Sequence, residues 1–267
     1  MRHLCLLLRK FPELVTGASK GIGYAIAERL IAEGARVVIT GRDVDALEHA
    51  RNRLGETGVV HVLAGDLATR EGADKVIAGL GELGDIDILI NNVGFFEVRG
   101  FFETSDAMWN SMFELNVMSG VRLSRSLMPA MLERRRGRIV FIASEQSLKP
   151  NPEMAHYAMT KVANVSVARA LAELTKGTAV TVNSVLVAPT WTEGVERFLR
   201  PIAEKQGISL DQMRTEYFRG DGLSSLIGRF ATPDEIASIV AFIASPLASA
   251  INGAAIRADG GIVRSLF

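Results

Sequence analysis

Short apolar runs alternate with stretches of helical periodicity along most of the chain. The runs have the length of single strands, and the stretches between them repeat apolar residues at the spacing of one helix face. Because each apolar run is followed by a helical stretch, the pattern indicates a parallel sheet covered by helices on both faces. The predicted strands are 14–16, 37–40, 59–63, 86–90, 139–143, 180–187 and 254–258, and the predicted helices are 22–32, 44–54, 70–80, 107–134, 154–175 and 233–244.

The alternation shows no linker, internal repeat or low-complexity tract. We therefore predict an α/β fold in which residues 1–267 form one Rossmann-type, doubly wound dinucleotide-binding domain. Residues 191–230 interrupt the pattern with aromatic residues among many charges and with two predicted short helices. A long insertion after a late strand usually forms a lid or a substrate pocket, and a surface excursion with its own small core is the alternative.

Composition excludes some classes of partner and site. The chain has 267 residues, 48% hydrophobic and 22% charged, which suits a soluble globular protein with a sizeable core. Its formal net charge of zero gives no support for nucleic acid or an anionic membrane as partner. The single cysteine, Cys5, excludes an intrachain disulfide, and the scattered histidines form no zinc constellation.

The first residues bear on localisation and on the first strand. The apolar run at 4–8 is too short for a signal-peptide core or a membrane span, so the sequence predicts a cytoplasmic protein. Pro12 and Glu13 stand where the first strand should begin. Because proline is poorly tolerated in a central strand, we expect that strand to begin at Glu13, unless the first residues are not native.

A glycine-rich loop follows the first predicted strand and leads directly into a helix. It reads Thr16-Gly17-Ala18-Ser19-Lys20-Gly21-Ile22-Gly23. Glycines at these places allow a tight turn and let backbone N–H groups approach a pyrophosphate, whose negative charge the helix N-terminus favours. An ordinary glycine-rich turn is the alternative, but the position at the first crossover of an alternating chain favours a dinucleotide site.

The end of the second predicted strand indicates which dinucleotide binds. NAD sites tend to place an acid there for the ribose 2′-hydroxyl, and NADP sites place a basic group for the 2′-phosphate. Arg42 stands just past this strand, and Lys20 adds a second cation from the glycine loop. These cations predict NADP as cofactor, with NADPH preferred over NADH. Pairing of Arg42 with Asp43 or Asp45 on the surface is the alternative.

Tyr157 and Lys161 are candidates for proton transfer. They are four residues apart in a predicted helix, so their side chains lie on one face. A neighbouring cation favours the phenolate form of tyrosine, and one cation at ~4 Å can supply the ~4 kcal/mol that a shift of ~3 pKa units requires. The spacing can also arise by chance, so its meaning depends on the other motifs.

These motifs give residues 13–264 a resemblance to the short-chain dehydrogenase/reductase family, including its 3-oxoacyl thioester reductases. Several segments match the family's motifs in order and at family spacing, with Val93 in place of an alanine. The matching segments are Thr16-Gly17-x-x-x-Gly21-x-Gly23, Asp66-Leu67, Asn91-Asn92-Val93-Gly94, Asn116, Ser144, Tyr157-x-x-x-Lys161 and Asp259-Gly260-Gly261.

The resemblance implies a catalytic tetrad of Asn116, Ser144, Tyr157 and Lys161. Tyr157 would exchange a proton with the substrate oxygen, and Ser144 would hydrogen-bond that same oxygen. Lys161 would lower the pKa of Tyr157 and hold the nicotinamide ribose, while Asn116 would hold a water in a proton relay to Lys161. Plain core or capping roles for Asn116 and Ser144 are the alternatives.

The resemblance also implies the reaction, the partners and the cofactor contacts. A small carbonyl or alcohol would exchange a hydride with NADP, and the chain would form a homotetramer or homodimer through residues 107–134 and 154–175. No metal, nucleic acid or membrane is expected. The implied cofactor contacts are Gly17, Ser19, Lys20, Gly21, Ile22, Gly23, Arg42, Asp66, Leu67, Asn91, Val93, Gly94, Tyr157, Lys161, Thr190 and Thr192.

The chain departs from the family pattern after the sixth strand, where Val187-Ala188 replaces the usual Pro-Gly. A Cβ removes conformations that need glycine, which puts the backbone beside the nicotinamide in doubt. Glu145 and His156 flank the tetrad in sequence and could face the substrate, although His156 suits a surface or supporting place better. A cofactor sensor without turnover is the alternative function, and a 3-oxoacyl thioester reductase is the alternative among enzymes.

Overall fold

Each predicted apolar run forms a strand in the computed structural model, which describes residues 12–220 and 222–266. The strands are β1 (Pro12–Thr16), β2 (Arg36–Gly41), β3 (Val60–Ala64), β4 (Ile88–Asn91), β5 (Arg136–Ser144), β6 (Ala179–Val187) and β7 (Ala255–Ala258). They form one sheet in the order β3-β2-β1-β4-β5-β6-β7, and neighbouring strands are parallel. The predicted Rossmann-type parallel sheet is confirmed.

Helices cover both faces of this sheet. They are α1 (Gly21–Ala32), α2 (Val44–Gly55), α3 (Arg70–Leu83), α4 (Asp106–Phe113), α5 (Ser119–Glu133), α6 (Ala155–Glu173), α7 (Glu193–Gln206), α8 (Leu210–Tyr217) and α9 (Pro233–Ala244). One buried cluster joins the sheet to α1, α2 and α9 through residues such as Ile26 and Val240. A second joins it to α3, α5 and α6 through residues such as Leu123 and Ala168. Burial on both faces explains why the central strands are mostly apolar, whereas β3 and β7 at the two edges are only partly buried.

The predicted helix 107–134 is wrong as a single helix. α4 ends at Phe113, Glu114–Met118 form a π-helical turn, and α5 begins at Ser119. A π-helical turn widens the hydrogen-bond repeat inside an otherwise continuous helix, so the periodicity of apolar residues does not reveal it. The turn carries Asn116, and turns of this kind are frequent at functional sites.

The first strand begins at Pro12, one residue earlier than expected. Proline is tolerated as the first residue of a strand, which is the place it takes here. Glu13 pairs with Val37 of β2 and Ile88 of β4, and it is only 1% exposed. Its Oε2 has no hydrogen-bond partner among the described residues. Burial, with Asp87 as the second cause, raises the pKa of this carboxyl well above its usual range.

The insertion at 191–230 contains the two predicted short helices, α7 and α8. Its buried residues form a separate small cluster, which consists of Leu199, Ala203, Met213 and Phe230. Phe198 of α7 packs against Phe96 with ring centroids 5.8 Å apart, and Phe96 packs against Tyr157 at 6.3 Å. The insertion therefore has a core of its own and is also linked to the tyrosine of the predicted site.

No helix in the described residues is long and apolar enough to cross a membrane. Residues 12–220 and 222–266 also contain no group of three or more His, Cys, Asp or Glu side chains placed to hold a metal ion. The apolar run at 4–8 and Cys5 lie outside the described residues, so the expectations that rest on them stay predictions.

Candidate active site

The glycine loop lies at the carboxyl end of β1, beside β4, where the strand order of the sheet reverses. Gly17 and Gly21 have φ angles of +63° and +59°, which residues with a side chain rarely adopt. A Cβ on Gly23 would lie 2.4 Å from Asn92 Nδ2 and 2.5 Å from the Gly17 carbonyl oxygen. The backbone of the loop therefore requires glycine at all three predicted positions.

Asn92 holds this loop in place, and the sequence-based prediction did not include it as a site residue. Its Nδ2 donates to the carbonyl oxygens of Thr16 at 2.8 Å and Gly17 at 3.2 Å. The Thr16 hydroxyl accepts the N–H groups of Asn92 and Val93 and donates to the Ile90 carbonyl oxygen. These bonds fasten the ends of β1 and β4 together. A pair of asparagines directly after a predicted strand is the signal that points to this role.

The loop and its surroundings fit the phosphate groups of a dinucleotide. α1 begins after Lys20 without a side-chain cap, so no side chain takes up the free N–H groups of its first turn. Lys20 and Arg42 are exposed and form no ion pair with a described residue. Asp43 instead caps α2, where its Oδ1 accepts the N–H of Ala46 at 3.0 Å. The alternative surface pairing of Arg42 with Asp43 or Asp45 is therefore absent among the described residues.

Two more predicted cofactor segments follow β3 and β4. Asp66 accepts the N–H of Ala68 at 3.1 Å, and Leu67 is buried. Asn91 donates to Ser124 Oγ at 3.2 Å, while its buried Oδ1 has no hydrogen-bond partner among the described residues. Parallel strands bring both segments to the same edge of the sheet as the glycine loop.

The segment after β6 reaches the glycine loop directly. A Cβ on Gly21 would lie 3.5 Å from Thr192 Cγ2, and Thr192 caps α7 by accepting the N–H of Val195. The buried Thr190 hydroxyl donates to the Ala188 carbonyl oxygen at 2.8 Å. Ala188 does not adopt a positive φ, and its N–H donates to Ala258 of β7 at 2.9 Å. The backbone at Val187-Ala188 therefore needs no glycine, and the effect of this departure on the nicotinamide site stays a prediction.

Ser144, Tyr157 and Lys161 meet between β5 and α6. Ser144 is the last residue of β5, and the other two lie one turn apart near the start of α6. Lys161 is buried, its Nζ donates to the Ile142 carbonyl oxygen at 2.9 Å, and it lies 5.6 Å from the centroid of the Tyr157 ring. The structure thus brings together the three residues that the sequence analysis grouped by motif.

Asn116 reaches the same region from the π-helical turn. Its Oδ1 accepts the N–H of Phe95 at 2.8 Å, and its Nδ2 donates to the Phe95 carbonyl oxygen at 2.9 Å and to Thr160 Oγ1 at 3.0 Å. Its own carbonyl oxygen accepts Asn164 Nδ2 at 3.0 Å. Asn116 therefore ties the segment after β4 to α6, and its role in a proton relay stays a prediction.

Burial controls the charges in this cluster. Burial is the main cause that raises the pKa of Tyr157, the Glu145 carboxylate adds to it, and a hydrogen bond with Ser144 opposes it. Burial lowers the pKa of Lys161 to about 8, against the opposing effect of Glu145. The net direction for the pKa of Tyr157 is therefore upward, and the lowering expected from Lys161 stays a prediction. Desolvation of the phenolate outweighs any attraction from an ammonium group that is itself costly to charge and is bonded to Ile142.

Both residues that flank the tetrad in sequence are buried. Glu145 is 6% exposed and His156 is 1% exposed, so His156 is not a surface residue. His156 packs edge-on against Trp109 with ring centroids 6.0 Å apart, and burial lowers its pKa. The Ser144 hydroxyl donates to Glu145 Oε2, which places this acid in the cluster.

The chain belongs to the short-chain dehydrogenase family, because the family model described as short chain dehydrogenase matches residues 13–201. An uncharacterized oxidoreductase of Bacillus subtilis, YvrD, is 48% identical, with 98% of this chain and 99% of its own length covered. The 3-oxoacyl-[acyl-carrier-protein] reductase FabG of Escherichia coli is 34% identical, with 93% and 96% covered. The predicted family is confirmed.

A solved structure shows the same fold over nearly the whole chain. The crystal structure of L-sorbose reductase from Gluconobacter frateurii, complexed with NADPH and L-sorbose, has a TM-score of 0.93 and 31% identity to this chain. It covers 98% of this chain and 100% of its own length. The arrangement of strands and helices therefore matches that of this neighbour over nearly the whole described chain.

Proposed function

We propose that this protein is an NADPH-dependent oxidoreductase that interconverts a carbonyl and a secondary alcohol. The observation that carries the proposal is the placement of two built sites at one edge of the sheet. A glycine loop with exposed cations lies at the ends of β1 and β2, and the cluster of Ser144, Tyr157 and Lys161 lies at the end of β5. Ligands of doubly wound sheets bind at this edge.

The chain offers contacts for each part of the cofactor, which supplies the hydride when bound. The first turn of α1 would bind the pyrophosphate, and Lys161 would bind the nicotinamide ribose. Arg42 and Lys20 would bind the 2′-phosphate, which distinguishes NADPH from NADH. Asp66 and Leu67 would contact the adenine, and the remaining contacts would come from Asn91, Val93, Gly94, Thr190 and Thr192.

Tyr157 would donate its proton to the substrate oxygen during reduction. Because burial raises its pKa, the phenol holds its proton at neutral pH and is prepared for this direction. Ser144 would stabilise the same oxygen as charge develops on it. Lys161, whose burial lowers its pKa to about 8, would replace the proton that Tyr157 gives up.

Two observations bear on the substrate. Phe96 and Phe198 extend from Tyr157 into the insertion, so apolar rings would form one wall of the substrate site. When it is ionised, the buried Glu145 would disfavour an acidic group close to the reacting carbon. Similarity to FabG over nearly the whole chain supports a 3-oxoacyl thioester as the second candidate substrate, beside a small sugar, alcohol or ketone.

Replacement of Tyr157 by phenylalanine tests the proposal. Tyr157→Phe removes the proton donor and keeps the ring, so turnover of a carbonyl panel with NADPH should fall by at least ~10²-fold. The Kd of NADPH, measured by fluorescence titration, should stay within ~3-fold of wild type. Tyr24→Phe is the matched control, since Tyr24 lies on α1 against Arg53 and away from the cluster.

Each result has a distinct meaning. Full turnover by Tyr157→Phe would contradict the assigned proton donor. Tight NADPH binding by the wild type without turnover of any carbonyl, including a 3-oxoacyl thioester, would instead support a cofactor sensor.

A further inference from the structure

Glu145 is a buried acid in direct contact with the reacting cluster, and the proposed reaction gives it no role. Its Oε2 accepts the hydroxyl of Ser144, and its Oε1 accepts Gln146 Nε2 at 3.1 Å. No ion pair joins Glu145 to a described cation. The N–H of Gln146 donates to Ser144 Oγ at 3.2 Å, so the serine hydroxyl is held from two sides by the turn that follows β5.

This contact has a direct chemical consequence for Ser144. A serine hydroxyl has one proton to donate and two lone pairs to accept with. While the carboxylate of Glu145 takes that proton, Ser144 cannot donate to a carbonyl oxygen. When Glu145 carries a proton, its own O–H donates to Ser144 Oγ, and the serine proton becomes free for the substrate oxygen. An alcohol substrate requires the opposite arrangement, because its hydroxyl donates a hydrogen bond that Ser144 Oγ must accept.

We propose that Glu145 is a positioning residue: its hydrogen bond decides whether the Ser144 hydroxyl donates to a carbonyl or accepts from an alcohol. This inference rests on the proposed function. Protonated Glu145 favours reduction, and ionised Glu145 favours oxidation. The effect passes through Ser144, because Glu145 itself need not touch the substrate.

The surroundings of Glu145 support two accessible protonation states. The turn that carries it packs against α6 and β6. α6 contributes Tyr157 and Lys161 as the titratable groups coupled to the carboxylate, and β6 contributes none. Burial raises the pKa of Glu145, while the hydrogen bonds from Ser144 and Gln146 oppose this. The protonated form therefore persists to a higher pH than for an exposed glutamate.

Kinetics of Glu145→Gln against pH provide the main test. In the wild type, kcat/KM for carbonyl reduction should fall by about tenfold per pH unit at pH values above the pKa of Glu145. Over the same range, kcat/KM for oxidation of the alcohol should rise. Glutamine can donate or accept at the same place but does not ionise, so this limb should disappear in the variant, which keeps only the fall near pH 8 from loss of the Lys161 proton. Glu13→Gln, a second buried carboxyl outside the site, should keep the wild-type profile. A limb that persists unchanged in Glu145→Gln would overturn the inference.

A double-mutant cycle tests whether the effect passes through Ser144. In a Ser144→Ala background, Glu145→Gln should change kcat/KM by less than ~2-fold at any pH, because the residue it positions is gone. An effect as large as in the wild-type background would show that Glu145 acts directly on Tyr157 or Lys161, and would overturn the positioning role.

Infrared difference spectroscopy of the full chain gives a readout that does not need turnover. The C=O stretch of the protonated Glu145 carboxyl should be present in the wild type, absent in Glu145→Gln, retained in Glu13→Gln and shifted in Ser144→Ala. A band that Ser144→Ala does not shift overturns the inference. If the wild type reduces no carbonyl, the proposed function fails, and this spectrum alone then decides whether Glu145 and Ser144 are coupled.

Discussion

Arg42 is the residue on which the expected preference for NADPH depends. Its side chain is exposed after β2 and forms no ion pair with a described residue, so it is available to a 2′-phosphate. A hydrogen bond between charged groups contributes ~1.5–3 kcal/mol, so Arg42→Ala should raise the Kd of NADPH by ~10–100-fold. Isothermal titration calorimetry should show a change of less than ~3-fold for NADH, which lacks that phosphate.

A neighbouring arginine provides the control for this prediction. Arg51 lies on α2 and pairs with Glu48 at 2.7 Å, so Arg51→Ala should leave both dissociation constants unchanged. An equal loss of affinity for NADPH and NADH in Arg42→Ala would contradict the assignment of the 2′-phosphate.

Glu13 makes the stability of the fold depend on pH. Burial raises its pKa in the folded chain, so the folded chain keeps a proton that the unfolded chain releases near pH ~4.3. Its stabilising contribution is therefore complete below that pH and is lost as the pH rises through the folded-state pKa. Glu13→Gln cannot ionise, so its Tm relative to wild type should increase between about pH 5 and about pH 8, measured by scanning calorimetry.

Glu82 is the reference residue for that experiment. It is an exposed glutamate on α3, so Glu82→Gln should follow the wild-type Tm across the same pH range. A Tm difference between Glu13→Gln and wild type that stays constant with pH would show that Glu13 does not carry the pH dependence.

Single residues could be predicted where local backbone geometry demands them. Gly17 and Gly21 have positive φ angles, and a loop between a strand and a helix requires glycine at such places. Residues whose role depends on distant parts of the chain were harder to predict from the sequence. The contact between Thr192 and Gly21, and the bonds from Asn92 to the loop, exist only because separate strands end at one edge of the sheet.

At the scale of elements, α7 is expected to control substrate affinity through Phe198. Its ring packs on Phe96, which packs on Tyr157, so Phe198 couples α7 to the substrate side of the cluster. Phe198→Ala should raise KM for the carbonyl by ~10-fold or more, as expected for loss of a buried aromatic contact. The Kd of NADPH should not change.

Steady-state kinetics with Phe242→Ala as control would test this role of α7. Phe242 lies on α9 and is 43% exposed, so its removal should leave KM unchanged. An unchanged KM in Phe198→Ala would indicate that the insertion is only a surface excursion with the small core that it also has.

Elements with a strong amphipathic or capped pattern matched their predictions closely. α9 begins at Pro233 after the cap at Thr232 and ends at Ala244, as the sequence indicates. The predicted helix 107–134 did not match the structure, because the π-helical turn at Glu114–Met118 changes the backbone hydrogen bonding without changing the apolar pattern. The turn is stabilised by tertiary bonds from Asn116 to Phe95 and Thr160, which no local pattern contains.

At the scale of the molecule, the parallel sheet could be predicted because its central strands are buried on both faces and are mostly apolar. The sequential pattern of strands and helices does not by itself specify which strands are neighbours. The order β3-β2-β1-β4-β5-β6-β7 has two series of crossovers, one from β1 through β2 to β3 and one from β4 to β7 on the other side of β1. That reversal creates the crevice in which both halves of the candidate site lie.

The predicted homodimer or homotetramer would form through helices on one face of the sheet. Phe113 at the end of α4 and Val162 on α6 expose apolar side chains, 36% and 48% respectively, on the helices expected to pack between copies. Light scattering after size exclusion should give two or four times the chain mass of 28.9 kDa.

Val162→Arg would bury a charge without a partner at that contact, so it should shift the protein to a smaller species. Leu247→Arg, beyond α9 on the other face, should not. A wild type of single-chain mass, or an assembly that tolerates arginine at position 162, would rule out this interface.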